Sequence, residues 1–218
     1  LNQYLGDGMM AMFPGAPDQA MTSAVEIQIE LASYNAEREA AGKIPVATGI
    51  GLHSGDLVLG IIGDQYRRAG NVISDAVNQA ARIEGLTSHF GIRIATTGPT
   101  LRKLSDPEAF PHRLIGRATV KGRADPVEVH EVFAGDPDHR IETKRATLPI
   151  FSDAVAHLRA GDYAEARRAF EAVLAQDPED SVASRLLRDM AQRRALGRPE
   201  TIVPRIVQVP ATTPPRQV

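Results

Sequence analysis

Two polar side chains four residues apart, Asn78 and Arg82, are the first candidates for chemistry in this sequence. In a helix, residues with this spacing project from the same face, so the amide and the guanidinium would point at one ligand. A guanidinium can neutralise charge that develops on a phosphoryl group, and an amide can hydrogen-bond a sugar or phosphate oxygen. An exposed polar helix face has the same spacing, so the pattern alone leaves both interpretations open.

Asp7 and Lys121 are two further candidates, and both stand next to glycine. Asp7 lies between Gly6 and Gly8, where a carboxylate in a tight turn could reach a metal ion. Lys121 precedes Gly122, so its loop could approach an anionic ligand closely and present a point charge. Each is equally compatible with an ordinary turn.

The elements that must position these residues are predicted from apolar periodicity and turn signals. In chain order we expect a hairpin of 2–5 and 9–13, a helix from 17 or 18 to 42, a second hairpin of 46–53 and 57–62, a polar loop at 67–71, a helix at 73–86, a strand at 92–95, a short helix at 99–104, and strands at 112–119 and 127–133. This order predicts an α+β domain with helices on one face of a largely antiparallel sheet.

The remainder of the chain is predicted to be helical. We expect helices at 151–160, 162–176 and 181–196, with Gly161 ending the first of them and Asp162 and Glu165 forming a capping box for the second. The alanine spacing resembles one tetratricopeptide-type unit. The predicted organisation is a catalytic-type domain at 1–135, a linker at 136–146, the helical unit at 147–197 and a proline-rich disordered tail at 198–218.

Composition narrows the class of protein. The 218 residues carry a formal net charge of −2, which gives no electrostatic reason to expect nucleic acid as a partner. Cysteine is absent, and no apolar stretch approaches the roughly 20 residues of a membrane span. We therefore expect a cytoplasmic chain that makes no membrane contact itself. Because the chain opens with Leu1 directly on a predicted strand, we also expect that an N-terminal portion is missing.

Several common nucleotide and catalytic motifs do not fit. The sequence has no G-x-x-x-x-G-K-[ST] phosphate loop. Gly49-Ile50-Gly51 begins like a dinucleotide fingerprint, but Ser54 stands at the third glycine and a turn follows instead of a helix. The six histidines form no close ligand pair in the sequence, so we interpret them as structural or surface residues.

The motifs together resemble a known family. The segment 4–11, Tyr-Leu-Gly-Asp-Gly-Met-Met-Ala, resembles the metal-binding hairpin of class III adenylate and guanylate cyclases. The segments 49–55 and 60–63 are similar to the second hairpin of that family, and 72–84 is similar to its signature helix. Val-Lys-Gly at 120–122 then falls at the corresponding place before the last strand. All the motifs occur in the family's order across residues 1 to 133.

The resemblance implies a fold, a reaction and residue roles. It implies a ferredoxin-like cyclase fold without its first strand and the helices that follow. It also implies conversion of ATP, or GTP, to the 3′,5′-cyclic monophosphate and pyrophosphate with two Mg²⁺ or Mn²⁺ ions. Asp7 would bind metal, Asn78 would orient the ribose, Arg82 would stabilise the transition state and Lys121 would contact the phosphates. The family's sites lie between protomers, so a head-to-tail homodimer is implied.

Two positions that the family uses to select the base differ from its usual residues. Gln3 stands where adenylate cyclases usually have lysine and guanylate cyclases glutamate, and Asn71 stands where aspartate or threonine is usual for ATP. Both side chains carry an amide, which donates and accepts, so neither purine is excluded. ATP is favoured because bacterial members mostly use it.

The missing first strand would carry the family's other metal aspartate, so we predict that this chain alone does not cyclise nucleotides. Two alternatives stay open: a cyclase-like pseudoenzyme, which Gln3 favours and Asp7, Asn78, Arg82 and Lys121 oppose, and an interaction protein whose function lies in the helical unit and tail. We interpret the helical unit as packing against the cyclase-type domain or supporting dimerisation.

Overall fold

The computed structural model describes residues 2–5, 8–62, 69–73, 75–118 and 126–195, and it confirms the α+β class. The strands are β1 (Asn2–Leu5), β2 (Gly8–Ala11), β3 (Ile50–Leu52), β4 (Val58–Ile62), β5 (Ala69–Ile73), β6 (Ile94–Thr97), β7 (His112–Ala118) and β8 (Val127–Val132). The helices are α1 (Asp18–Ala40), α2 (Asp75–Phe90), α3 (Gly98–Leu101), α4 (Asp138–Ala160), α5 (Tyr163–Gln176) and α6 (Ser181–Ala195), with a short 3₁₀ turn at Pro107–Ala109.

The central sheet has four strands in the order β3-β6-β8-β7. β3 and β6 are parallel, with Ile50 opposite Ile94, whereas β6 and β7 both run antiparallel to β8. Parallel neighbours need a long crossover, and the chain supplies it through β4, β5 and α2. The crossover brings α2 against β3 and β6, so the predicted active-site helix rests directly on the sheet.

Helices cover both faces of this sheet, which corrects the prediction of helices on one face. On β6, Ile94 packs in a core with Met21 of α1, whereas the next residue, Ala95, belongs to the core formed with α2 and α4–α6. Adjacent strand residues point to opposite faces, so α1 lies on one side, with Leu101 of α3 in the same core, and α2 and α4–α6 lie on the opposite side. All four residues of β6 are buried, so both faces of this strand must be covered by other elements and not by water.

The first predicted hairpin is confirmed and the second is wrong. β1 and β2 pair antiparallel, with Asn2 opposite Ala11 and Leu5 opposite Gly8. β3, however, pairs with β6 and not with β4, and β4 pairs with β5 in a separate two-stranded sheet. The segment 67–71, predicted as a polar loop, contributes its last three residues to β5. Turn residues show where a chain can reverse, but they do not show which strand becomes its partner.

Most of the segment predicted as a linker, 136–146, is helical, because α4 begins at Asp138 and runs continuously to Ala160. The helix predicted at 151–160 is therefore only the second part of α4, which continues through Pro149. Tertiary contacts stabilise the first half: Lys144 Nζ lies 2.6 Å from Glu131 Oε1 and 2.6 Å from Asp136 Oδ2.

At the end of α4, Gly161 has a left-handed φ of 82°, which confirms the predicted glycine stop. The predicted capping box is not formed, since the Asp162 side chain makes no cap hydrogen bond. Instead, Asp162 lies 3.3 Å from His157, and Glu165 accepts a hydrogen bond from Arg168. The division into domains and the tetratricopeptide-type assignment stay predictions, and the proline-rich tail lies outside the described residues.

Candidate active site

Helix α2 positions both Asn78 and Arg82 and begins at Asp75, whose carboxylate favours a helix N-terminus. Gln79 donates from Nε2 to Asp75 Oδ2 at 3.0 Å, which ties the first turn together. Farther along, Ile83 is 2% exposed and Phe90 is 2% exposed. These buried side chains fix the inner face of the helix.

Asn78 and Arg82 are four residues apart on α2, as predicted, but their surroundings differ. Asn78 is exposed, whereas Arg82 is partly buried. The Nη1 atom of Arg82 is buried and has no hydrogen-bond partner in the described part of the chain. A buried guanidinium nitrogen without an acceptor is costly, which makes Arg82 a candidate for binding an anionic ligand group.

Glycines on and beside β3 allow α2 to pack closely against the strand, a feature that the sequence analysis missed. A Cβ on Gly51 would lie 2.5 Å from the carbonyl oxygen of Ala80 and 2.6 Å from Cα of Glu84. A Cβ on Gly55 would lie 2.8 Å from Cβ of Ala76. The helix backbone therefore rests on the strand backbone. Two glycines at a spacing of two, 49 and 51, were the available signal, because small residues on one strand face permit close approach.

His53 shows that the loop after β3 is also held firmly. Its Nδ1 lies 2.9 Å from Thr97 Oγ1, which in turn lies 3.0 Å from Thr100 Oγ1. The backbone N–H of Ser54 donates to Thr100 Oγ1 at 2.8 Å. This hydrogen-bond chain joins the carboxyl ends of the parallel strands, and it gives His53 a structural role.

The other predicted site residues are placed only in part. Gln3 lies on β1 opposite Met10, and Asn71 lies on β5 opposite Gly60, but their side chains are not among those described. Asp7 and Lys121 lie outside the described residues. The structure thus brings Asn78 and Arg82 together and does not test the positions of the other four side chains.

A metal site cannot be assembled from the described residues alone. Among them, no group of three or more histidine, aspartate or glutamate side chains is arranged to hold an ion. A groove of about 600 Å³ lies along α1 beside Ile27, Tyr34 and Thr48, and none of its lining residues comes from α2. We therefore centre the candidate site on Asn78 and Arg82.

Comparison with known proteins identifies the class. Residues 3–133 match the family described as the adenylate and guanylate cyclase catalytic domain. Because the match covers more than half of the chain, the chain belongs to this family. It is also similar to the structure of a bacterial light-regulated adenylyl cyclase, with 26% identity and a TM-score of 0.52 over 67% of this chain and 43% of that one.

Among individual relatives, an adenylate cyclase of Anabaena cylindrica is 40% identical over 140 residues, which are 62% of this chain. The terminal-differentiation-specific adenylate cyclase of Dictyostelium discoideum is 27% identical over 188 residues, or 83% of this chain. The matched part spans 28% of the first relative and 9% of the second. Within the described residues of this chain, no helix combines the length and hydropathy needed to cross a membrane.

Proposed function

We propose that the whole protein is a nucleotide cyclase that converts ATP, or GTP as the alternative purine, to the 3′,5′-cyclic monophosphate and pyrophosphate. Family membership and the relatives named adenylate cyclase support this reaction. The observation that carries the proposal is the pair on α2: exposed Asn78 beside Arg82, whose buried Nη1 has no acceptor among the described residues. A triphosphate supplies the oxygens that such a donor needs.

In the reaction, the ribose 3′-oxygen attacks the α-phosphorus, the bond to the pyrophosphate oxygen breaks, and the hydroxyl proton is released. Negative charge increases on the oxygens around the phosphorus as the new bond forms. Arg82 would stabilise this charge, and because the charge is greatest in the transition state, its removal should lower kcat. Asn78 would hydrogen-bond the ribose and hold the attacking oxygen in line.

The remaining roles rest on the resemblance. Asp7 would be one of two aspartates that hold two divalent cations, for which carboxylate oxygens are suitable ligands, and these ions would offset the charge on the phosphates. Lys121 would contact the phosphates, while Gln3 and Asn71 would face the base. A head-to-tail homodimer would bring Asp7 of one protomer to Asn78 and Arg82 of the other.

The test is cyclic-nucleotide production by the whole protein, purified and supplied with ATP or GTP and with Mg²⁺ or Mn²⁺. We expect Arg82→Ala to lower kcat by about 100-fold or more, the size expected for loss of one charge-stabilising donor. Arg159→Ala, at an exposed arginine on α4, is the matched control and should leave kcat unchanged. No cyclic nucleotide from the wild type, or less than a threefold effect of Arg82→Ala, would refute the proposal.

Two earlier expectations are decided by the same assay. A whole protein that binds nucleotide without turning it over would be the pseudoenzyme. Metal-dependent turnover by the 218-residue chain would contradict our prediction that this chain alone is inactive. The interaction-module alternative loses support from the core that α4–α6 share with α2, because a module that merely tethers partners does not need such a contact.

A further inference from the structure

The three C-terminal helices share one hydrophobic core with the active-site helix. On α2, Ile83, Leu86 and Phe90 belong to the same buried cluster as Phe170 of α5 and Leu186 of α6. All five side chains are at most 5% exposed. Burial of this size makes α4–α6 part of the environment that decides where α2 lies.

The N-terminus of α6 is anchored to the sheet by a buried ion pair. Arg113 of β7 donates from Nη1 and Nη2 to the two carboxylate oxygens of Asp180 at 2.6 and 3.0 Å, and from Nε to Glu131 at 2.6 Å. Asp180 Oδ1 also accepts from the backbone N–H of Ala183 in the first turn of α6. The guanidinium carbon of Arg113 lies 4.0 Å from the ring centre of Phe151.

The nearby positive charges favour the ionised form of the two carboxyl groups in this anchor. Burial opposes ionisation of Asp180 and Glu131, but the charges and hydrogen bonds of Arg113 and Lys144 outweigh it, so the pKa of both carboxyls lies below its usual value. A bidentate pair with several further bonds has one arrangement and little freedom to shift. The first turn of α6 is therefore a fixed point.

From this fixed point α6 reaches the last turn of α2. Asp189 Oδ2 lies 3.1 Å from Nε2 of His89, and Asp189 Oδ1 lies 3.0 Å from Nε of Arg185. Nε of Arg185 also lies 3.2 Å from His89 Nε2. Near the start of α6, Ser181 Oγ donates to the carbonyl of Gly91 at 3.1 Å. The contacts lie at the end of α2 opposite Asn78.

Two sets of contacts add to the buried core in holding the helix. The contact with Gly51 holds its middle at Ala80 and Glu84, and the polar contacts with α6 hold its last turn. Contacts far from the middle of a helix have the largest effect on its tilt, so those with α6 help to fix its direction. The rise of about 1.5 Å per residue puts His89 roughly 10 Å along the helix axis from Arg82. At this distance, a small shift of the last turn changes the direction in which the Arg82 side chain points.

We propose that Asp189 is a positioning residue of the cyclase reaction: from α6, it holds the last turn of α2 and so sets the orientation of Asn78 and Arg82. This inference rests on the proposed function for its kinetic consequence. On this proposal the C-terminal helices are part of the catalytic unit, because α6 supports the orientation of α2.

The first test needs no activity and uses this chain. Asp189→Asn removes the charge at nearly constant shape, Asp189→Glu keeps it, and Asp153→Asn makes the same chemical change at an exposed position of α4. We expect amide hydrogen exchange in the last turns of α2 to be about tenfold faster in Asp189→Asn, the loss expected for one charged hydrogen bond. The other two variants should exchange like the wild type. Unchanged exchange in Asp189→Asn, or equal acceleration in Asp153→Asn, would overturn the proposal.

The second test measures kinetics in the whole protein. We expect Asp189→Asn to lower kcat about 3- to 10-fold with less than a twofold change in KM, the size that indirect couplings usually have. Asp189→Glu should restore most of kcat, which general destabilisation would not produce. Wild-type kcat in Asp189→Asn would also overturn the proposal. If the wild-type protein makes no cyclic nucleotide, the proposed function fails, and hydrogen exchange alone then decides the role of Asp189.

Discussion

The contact between Gly51 and α2 leads to our most specific prediction. Gly51 faces the helix backbone, and its strand cannot retreat because Gly51 pairs with Ala95 in the neighbouring strand. A Cβ placed here would lie 2.2 Å from the backbone nitrogen of Glu84, whereas ordinary contacts begin at 3.4 Å. In Gly51→Ala, α2 must therefore move away by about 1.2 Å, the difference between those two distances.

A shift of this size should damage activity far more than stability. Inserting one methyl group into a packed contact typically costs about 1–3 kcal/mol of unfolding free energy, which a folded domain can tolerate. A misplacement of about 1 Å in catalytic groups can cost about 100-fold in rate. We therefore expect Gly51→Ala to fold with a lower urea midpoint and to lose about 100-fold in kcat/KM, because Asn78 and Arg82 move with the helix.

Gly49→Ala is the matched comparison, since the same methyl group meets a side chain and not the backbone. Its Cβ would lie 1.9 Å from Oγ1 and 2.9 Å from Cβ of Thr87, so the hydroxyl must rotate away and the helix must move by about 0.5 Å to reach the 3.4 Å of ordinary contact. The loss of kcat/KM should stay below about tenfold, because this shift is less than half of the one that Gly51→Ala requires. Activity is measured in the whole protein and urea unfolding in this chain. A folded Gly51→Ala variant with near-normal kcat/KM, or equal losses in both variants, would show that the strand contact does not position α2.

Three further predictions concern stability, and urea unfolding of this chain checks each. Burial and, to a smaller extent, the nearby charge of His112 lower the pKa of His130 to about 4 in the folded chain. Between pH 7.5 and 5 the folded imidazole therefore stays neutral, whereas the imidazole of the unfolded chain, with a pKa near 6.5, takes up a proton. The unfolding free energy should fall by about 2 kcal/mol from this group over that interval, and His130→Gln should lack this part of the slope; parallel pH profiles would contradict the assignment. Asp180→Asn should cost about 3 kcal/mol or more, because it leaves the buried Arg113 guanidinium half-paired, and a loss under 1 kcal/mol would argue against the anchor. Phe151→Ala should cost about 3–5 kcal/mol, since its ring is fully buried on that of Phe170, and a negligible loss would mean that the shared core is not cooperative.

Local sequence patterns determined the elements and the candidate pair. The Asp-Gly turn predicted the β1–β2 hairpin, periodicity predicted α1 and α2, and the spacing of Asn78 and Arg82 placed them on one helix. These signals succeed because they depend on contacts between residues close together in the chain.

Only the tertiary structure decided which strands pair, which faces are covered and what holds α2. The partner of β3 is β6, some forty residues later, and the start of α4 depends on Lys144 reaching Glu131 across the fold. Neither periodicity nor turn chemistry contains such distant pairings, because each strand offers two equivalent edges and each salt bridge several possible partners. The burial of Arg82 Nη1 is of the same kind: its residue type was visible in the sequence, but its lack of a partner among the described residues depends on everything packed around it.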